Sequence, residues 1–217
     1  MELYHCLNRG VDKRTIFTDN RDRARFVHDM YEFNDRHKAL NIGRSFMSDI
    51  VSQSSERERI VDIHGWCLMS NHYHLLLSER TENGVSLFLR KLNVGYARYF
   101  NDRHKRVGTL FQGRTKKIPV TSDAHFLHIL HYIHLNPLDG LRGAERWREL
   151  RIRNALGAVK HLEKYRWSSY LDYCGTRNFP FIITTDLFSD VFGNYRKTIA
   201  TYLKDLDLES VRPYFLE

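Results

Sequence analysis

IVDIHGWCLMSNHYHLLL, Ile60 to Leu77, holds two apolar runs separated only by Met69, Ser70 and Asn71. Two short runs joined in this way most simply pair as an antiparallel hairpin. Side chains alternate along a strand, so the second run places His72, His74 and Leu76 on one face and Tyr73, Leu75 and Leu77 on the other. The apolar face is the one expected to meet helices. That leaves two imidazoles side by side on the opposite face.

Working outward, Leu3 to Leu7 alternates and precedes Asn8-Arg9-Gly10, which reads as a strand closed by a turn. From Asp19 to about Leu40, Phe26, Val27, Met30, Tyr31 and Phe33 recur at helical spacing, with Thr18 or Asp19 available as N-cap. Residues 41–59 are polar and irregular and read as a loop or insertion. A second helix is expected from about Gly84 to Arg103, with Leu87, Phe88, Leu92, Tyr96 and Tyr99 on one stripe. GTLFQGRTKKIPVTS, Gly108 to Ser122, has no helical period and contains Pro119, so a loop feeding a short strand near Lys117 to Val120 fits it. A third helix runs from about Asp123 to Leu135 and stops before Pro137.

The order strand, helix, strand, strand, helix, strand is that of an α+β, ferredoxin-like βαββαβ fold. One antiparallel sheet carries two helices on one face, and the other face is expected to be free for chemistry. The chain has 217 residues, enough for one sizeable core. We expect a main unit over 1–140 and a helical C-terminal extension over 141–217.

With 34 Lys and Arg against 26 Asp and Glu, the formal charge is +8, which favours a polyanionic partner such as nucleic acid. Charge alone balances that against a merely basic soluble protein. Cys6, Cys67 and Cys174 are far apart and lack CxxC spacing, so neither a disulfide framework nor a cysteine zinc knuckle is suggested. No apolar run approaches the roughly 20 residues of a membrane span, and the start of the chain lacks signal-peptide order. A cytoplasmic protein with reduced thiols is expected.

Two histidines spaced as His72 and His74 can reach one divalent cation, although a lone HxH is as readily a pair tolerated near a hairpin turn. Other motifs stand beside it. YHCLNRG from Tyr4, LMSNHYH from Leu68, LFQGRTK from Leu110, YIHLNP from Tyr132 and YRWSSY from Tyr165 occur in that order. With these five the chain resembles the REP-associated branch of the IS200-like, HUH-type tyrosine transposases over roughly Tyr4 to Gly175.

The resemblance implies a metal-dependent single-tyrosine endonuclease and strand transferase acting on single-stranded DNA hairpins through a 5′-phosphotyrosine. It assigns the nucleophile to Tyr132 and the third metal ligand, beside His72 and His74, to Asn136. Residues four apart share one helix face, which suits a common site, and His128 lies on that face as a candidate helper. Without the resemblance, Tyr132 reads as an aromatic core residue and Asn136 as a cap before Pro137. Tyr96 and Tyr99 lie on the apolar stripe and read as structural. Mixed His and Asn ligation suggests Mg²⁺ or Mn²⁺.

Arg98, Arg103, Lys105, Arg106, Arg114, Lys116 and Lys117, with Phe111 among them, cluster between the second and third helices and suit phosphate contacts and base stacking. A solvated charge run is the bland alternative. In YRWSSY, Trp167 reads as a pin that holds the C-terminal segment to the core. Two rival functions are a non-catalytic DNA-binding descendant of the family and a zinc hydrolase built on HxH, for which His5, His64, His125, His131 and His134 are the further imidazoles. Monomer and homodimer are both compatible with the sequence.

Overall fold

The computed structural model describes residues 2–37, 57–144, 147–149, 152 and 154–205. Strands β1 (Leu3–Arg9), β2 (Val61–Leu68), β3 (His72–Glu79) and β4 (Lys116–Pro119) form one antiparallel sheet in the order β2-β3-β1-β4. Helices α1 (Asn20–Glu32) and α2 (Gly84–Arg103) complete the ferredoxin-like order. The bounds of α2 and the β2–β3 hairpin agree with the periodicity of the sequence.

One side of the sheet is an apolar core. Phe26, Val27 and Met30 of α1 and Phe88, Leu92 and Tyr96 of α2 meet Tyr73, Leu75 and Leu77 of β3. Each large apolar side chain buried here stabilises the fold by about 1.5–3 kcal/mol relative to exposure. Asp19 caps α1 by accepting from the backbone N–H groups of Arg21 and Asp22 at 2.9 and 3.0 Å.

Helix α1 stops at Glu32, short of the expected end near Leu40. Asn34 accounts for the difference: its Oδ1 accepts from the N–H of Ile60 and Val61, and its Nδ2 donates to the carbonyl of Val61 at 3.0 Å. Those bonds tie the chain to the start of β2 and draw it out of the helix. Strand β1 in turn runs on to Arg9, because Arg9 pairs with His72 where a turn was expected. Residues 41–56 of the expected loop lie outside the described residues.

The second face of the sheet is not free. Helix α3 (Asp123–Leu135), continued by a 3₁₀ turn over Asn136–Gly140, lies across it, backed by α4 (Ala155–Lys164), α5 (Tyr170–Tyr173), α6 (Asp186–Phe192) and α7 (Tyr195–Asp205). Leu3, Cys67 and Leu76 of the sheet share a second core with Ile129, Leu130 and Tyr132 of α3 and with Trp147, Leu162, Tyr195 and Ile199. Close approach of α3 depends on Gly65, since a Cβ there would lie 2.8 Å from Cδ1 of Leu130.

YRWSSY covers the outer edge of β2. The N–H of Leu68 donates to Trp167 O at 2.9 Å, and that of Ser169 to Trp66 O at 3.0 Å. Trp167 is buried and stacks on Phe179, so it pins the C-terminal segment as expected, and the edge is closed to further strand pairing. Among the described residues no helix is long and apolar enough to cross a membrane.

Candidate functional site

Directly paired residues of antiparallel strands project to the same face, so the β1–β3 register sets His5, Leu7 and Arg9 beside Leu76, His74 and His72. Helix α3 brings Tyr132 onto this face. Its ring lies 5.7 Å from that of His74 and 5.8 Å from that of His5, edge-on to both. The rings of His72 and His74 are 5.0 Å apart and nearly perpendicular. Three of the residues singled out in the sequence, His72, His74 and Tyr132, therefore meet. Tyr132, His74 and His5 are fully buried, and Trp147 and the guanidinium of Arg148 lie 5.8 and 5.7 Å from the Tyr132 ring.

Asn136 is one turn beyond Tyr132 and fully buried. Its Nδ2 donates to the carbonyl of Tyr132 at 2.8 Å, and its Oδ1 accepts from Nη2 of Arg148 at 2.8 Å. The capping role is thus realised, and one lone pair of the amide oxygen faces a cation. An amide oxygen has a second lone pair, which leaves it one further bond to make.

His72 has a defined tautomer. Nδ2 of Asn71 donates to Lys13 O at 3.1 Å, which turns Oδ1 of Asn71 to Nδ1 of His72 at 2.6 Å. An amide oxygen only accepts, so Nδ1 of His72 carries a hydrogen, and the neutral form of the ring has its lone pair on Nε2. A neutral imidazole in that state beside a second imidazole fits a divalent cation as a donor pair. Among the described residues, no group of three or more His, Cys, Asp or Glu is placed to hold a metal ion. Among the described residues, a third donor would be of another kind, such as an amide oxygen.

Four histidines spaced by three, His125, His128, His131 and His134, run along α3 toward the C-terminal helices. Nδ1 atoms of His131 and His134 meet the hydroxyl of Tyr195 at 3.0 and 2.8 Å, and Nε2 of His134 meets Ser169 Oγ at 2.7 Å. His128 is hydrogen-bonded to the Tyr202 hydroxyl. Burial pushes His128 and His131 down to about 3, with the neighbouring histidine adding to each shift. His128 is therefore neutral and a weak base. His64 bonds Ser78 Oγ at 2.8 Å on the same side of the sheet.

The basic residues divide. Lys116 is opposite Leu7 and so on the histidine face, whereas Lys117 is opposite Cys6 and lies over the Tyr4 ring at 4.6 Å. Arg114 and Lys116 line a cleft of about 290 Å³ with Leu7, Asn8, Arg9, Gln112 and Gly113. Asn8 holds its wall by donating to Gly113 O and Thr115 Oγ1 at 3.1 and 3.2 Å. Arg103 is engaged elsewhere: it is ion-paired with Asp19 at 2.5 Å and with buried Asp22. Arg98 is exposed on α2, across the sheet from the histidines, Lys105 is exposed in the turn that follows α2, and Arg106 donates to Asn101 Oδ1 at 2.8 Å. Phe111 packs against the apolar core, 6.0 Å from Tyr73.

Arg9, His5 and Asn71 were given no part in this site from the sequence, where His5 stood only among the further imidazoles for a zinc hydrolase. The two-residue alternation of β1 carried a signal for the first two, but only the register with β3 shows which face it serves.

Among solved structures, the chain is similar to one described as "Structure of the REP associates tyrosine transposase bound to a REP hairpin", with a TM-score of 0.50 at 14% identity and 86% of each chain covered. At that identity the likeness speaks for the fold. No curated protein matches the chain. The family described as "Transposase IS200 like" matches residues 23–136, more than half of the chain and inclusive of His72, His74, Tyr132 and Asn136. The chain belongs to the IS200-like transposase family.

Proposed function

We propose that this protein is a single-tyrosine DNA endonuclease and strand transferase that acts on single-stranded DNA folded into REP-like hairpins. Residues 1–140 form its catalytic unit and 141–217 an extension packed on it. Tyr132 is the nucleophile, and His72, His74 and the second lone pair of Asn136 Oδ1 are the donors for a divalent cation, Mg²⁺ or Mn²⁺. The observation that carries this reading is the meeting of Tyr132 with His74 at 5.7 Å beside a basic cleft. Because one chain supplies both nucleophile and histidines, one protomer is sufficient.

In the reaction, the phenolic oxygen of Tyr132 attacks phosphorus and the bond to the 3′ oxygen breaks. The 5′ phosphate stays on Tyr132 and the departing oxygen takes up a proton as a free 3′-hydroxyl. A bound cation would offset charge that builds on the phosphate oxygens. Arg9, Arg114 and Lys116 hold the flanking backbone, and the aromatic and imidazole rings around Tyr132 keep water from the phosphotyrosine. Transfer to another 3′-hydroxyl reverses the step.

Tyr132 is fully buried, so DNA reaches it only when the cover over it opens. The same burial favours a second reading, a DNA-hairpin binder without catalysis. A hairpin labelled at either end and incubated with Mn²⁺ separates the two. The first reading expects a covalent adduct on the 5′ side and a free 3′ end, both lost in Tyr132→Phe with hairpin binding kept. Binding without adduct in the parent protein would establish the second, and an adduct that survives in Tyr132→Phe would exclude Tyr132.

A further inference from the structure

His5 stands in the middle of β1, fully buried, on the face it shares with His74. Its Nε2 is 2.9 Å from Nδ1 of His74, and the two rings stack at 5.1 Å with 20° between their planes. A hydrogen bond between two neutral imidazoles needs one N–H and one lone pair, so this contact sets the tautomer of both rings. If His5 donates, the one hydrogen of His74 sits on its Nε2 and that atom cannot ligate. If His74 donates from Nδ1, its Nε2 keeps the lone pair.

His72 points to the second arrangement. Oδ1 of Asn71 accepts from Nδ1–H of His72 at 2.6 Å, which in the neutral ring puts the lone pair on Nε2. A matched pair of donors needs the same of His74, and His5 is the group in contact with the equivalent atom.

We infer that His5 is a positioning residue for the cation site: its Nε2 accepts the Nδ1 hydrogen of His74 and holds that ring with Nε2 ready to ligate, as Asn71 does for His72. This rests on the reading of His72 and His74 as ligands to a divalent cation. A histidine suits the position because its rigid ring spans from β1 to β3 with a lone pair at the far end. Tyr132, edge-on at 5.8 Å, backs the ring and limits its rotation. Groups that orient a ligating histidine in this way typically alter metal affinity by about 10–100-fold when removed.

The test uses the full chain with ¹⁵N-labelled histidine, first metal-free and then titrated with Mn²⁺ followed by electron paramagnetic resonance. The metal-free parent is expected to show His74 protonated on Nδ1, with its signals assigned by their loss in His74→Gln. His5→Phe should lose that fixed tautomer and bind Mn²⁺ about 10–100-fold more weakly. His5→Gln, whose Oε1 can accept the same hydrogen, should recover most of the affinity. A parent protein with His74 protonated on Nε2, or a His5→Phe variant that binds Mn²⁺ like the parent, would overturn the inference. Failure of the cation site itself would look different: the parent and the double variant His72→Ala, His74→Ala would bind Mn²⁺ equally weakly, and the role of His5 would fall with it.

Discussion

The two faces of the sheet are built from alternate residues of the same strands, yet they differ in kind. Tyr73, Leu75 and Leu77 face α1 and α2 in an aromatic and aliphatic core, where the Tyr73 hydroxyl is fixed by Asn93 at 2.8 Å and the Tyr96 hydroxyl by the carbonyl of Ile16. His72, His74 and His5 face α3, where Tyr132 lies among imidazoles and four further histidines of α3 meet or approach the C-terminal helices. On the proposed function, the period-two alternation sets the reacting groups one residue away from the first core. Substitutions on one face should move the fold, and those on the other should move the reaction.

The largest effect is expected from His72→Ala with His74→Ala. Loss of several kcal/mol of transition-state stabilisation corresponds to about a thousandfold or more in hairpin cleavage, with hairpin binding retained in EDTA. Parallel loss of binding in a filter or mobility assay would break the division of labour. On the opposite face, Phe88→Ala should cost about 3–5 kcal/mol in urea unfolding, with the cleavage rate of the folded fraction little changed.

Acid should weaken the α3 face selectively. His128 and His131 are neutral in the folded protein down to about 3, while the unfolded chain protonates them near its ordinary value of about 6.5. Between those values the unfolded state binds more protons, so stability is whole above about pH 6.5 and falls as the pH drops toward 3. The slope reaches at most about 1.4 kcal/mol per pH unit for each histidine. Urea midpoints at pH 7.5 and 5.5 should show the fall in the parent and a smaller one in His128→Gln; equal falls would place the acid sensitivity elsewhere.

Smaller effects sharpen the same contrast. Arg114→Ala with Lys116→Ala should weaken binding to many DNA sequences alike and lower the salt slope by about 1.4 for two contacts on a single strand. Arg103→Ala should leave that slope unchanged and lower the melting temperature, because Arg103 joins α2 to the start of α1 through Asp19 and Asp22. Gly65→Ala is expected to cost about 1 kcal/mol and reduce cleavage, since a methyl there presses on Leu130 and lifts α3 from β2.

Much of this division was legible in the residues themselves. The stripe from Leu87 to Tyr99 specified α2, and the runs around Met69 to Asn71 specified the hairpin, because local periodicity and turn composition act within a few residues. The end of α1 was not legible, since Asn34 leaves the helix for a contact with β2 that is distant in sequence. Nor was the division of the basic cluster: Lys116 and Lys117 are neighbours in sequence but face opposite sides of β4. His72, His74 and Tyr132 carried enough motif to be named beforehand. His5 and Arg9 depended on the β1–β3 register, and Arg148 on a contact with Asn136, both set by tertiary packing.

The assignment of chemistry to the α3 face is tested most directly by mapping the residue that becomes joined to DNA. Parent protein is incubated with a single-stranded REP-type hairpin and Mn²⁺, digested with nuclease and protease, and read by mass spectrometry. A nucleotide phosphate on the peptide that contains Tyr132, at Tyr132, is the expected result. The same adduct on Tyr73 or Tyr96, whose hydroxyls belong to the other face, would contradict it.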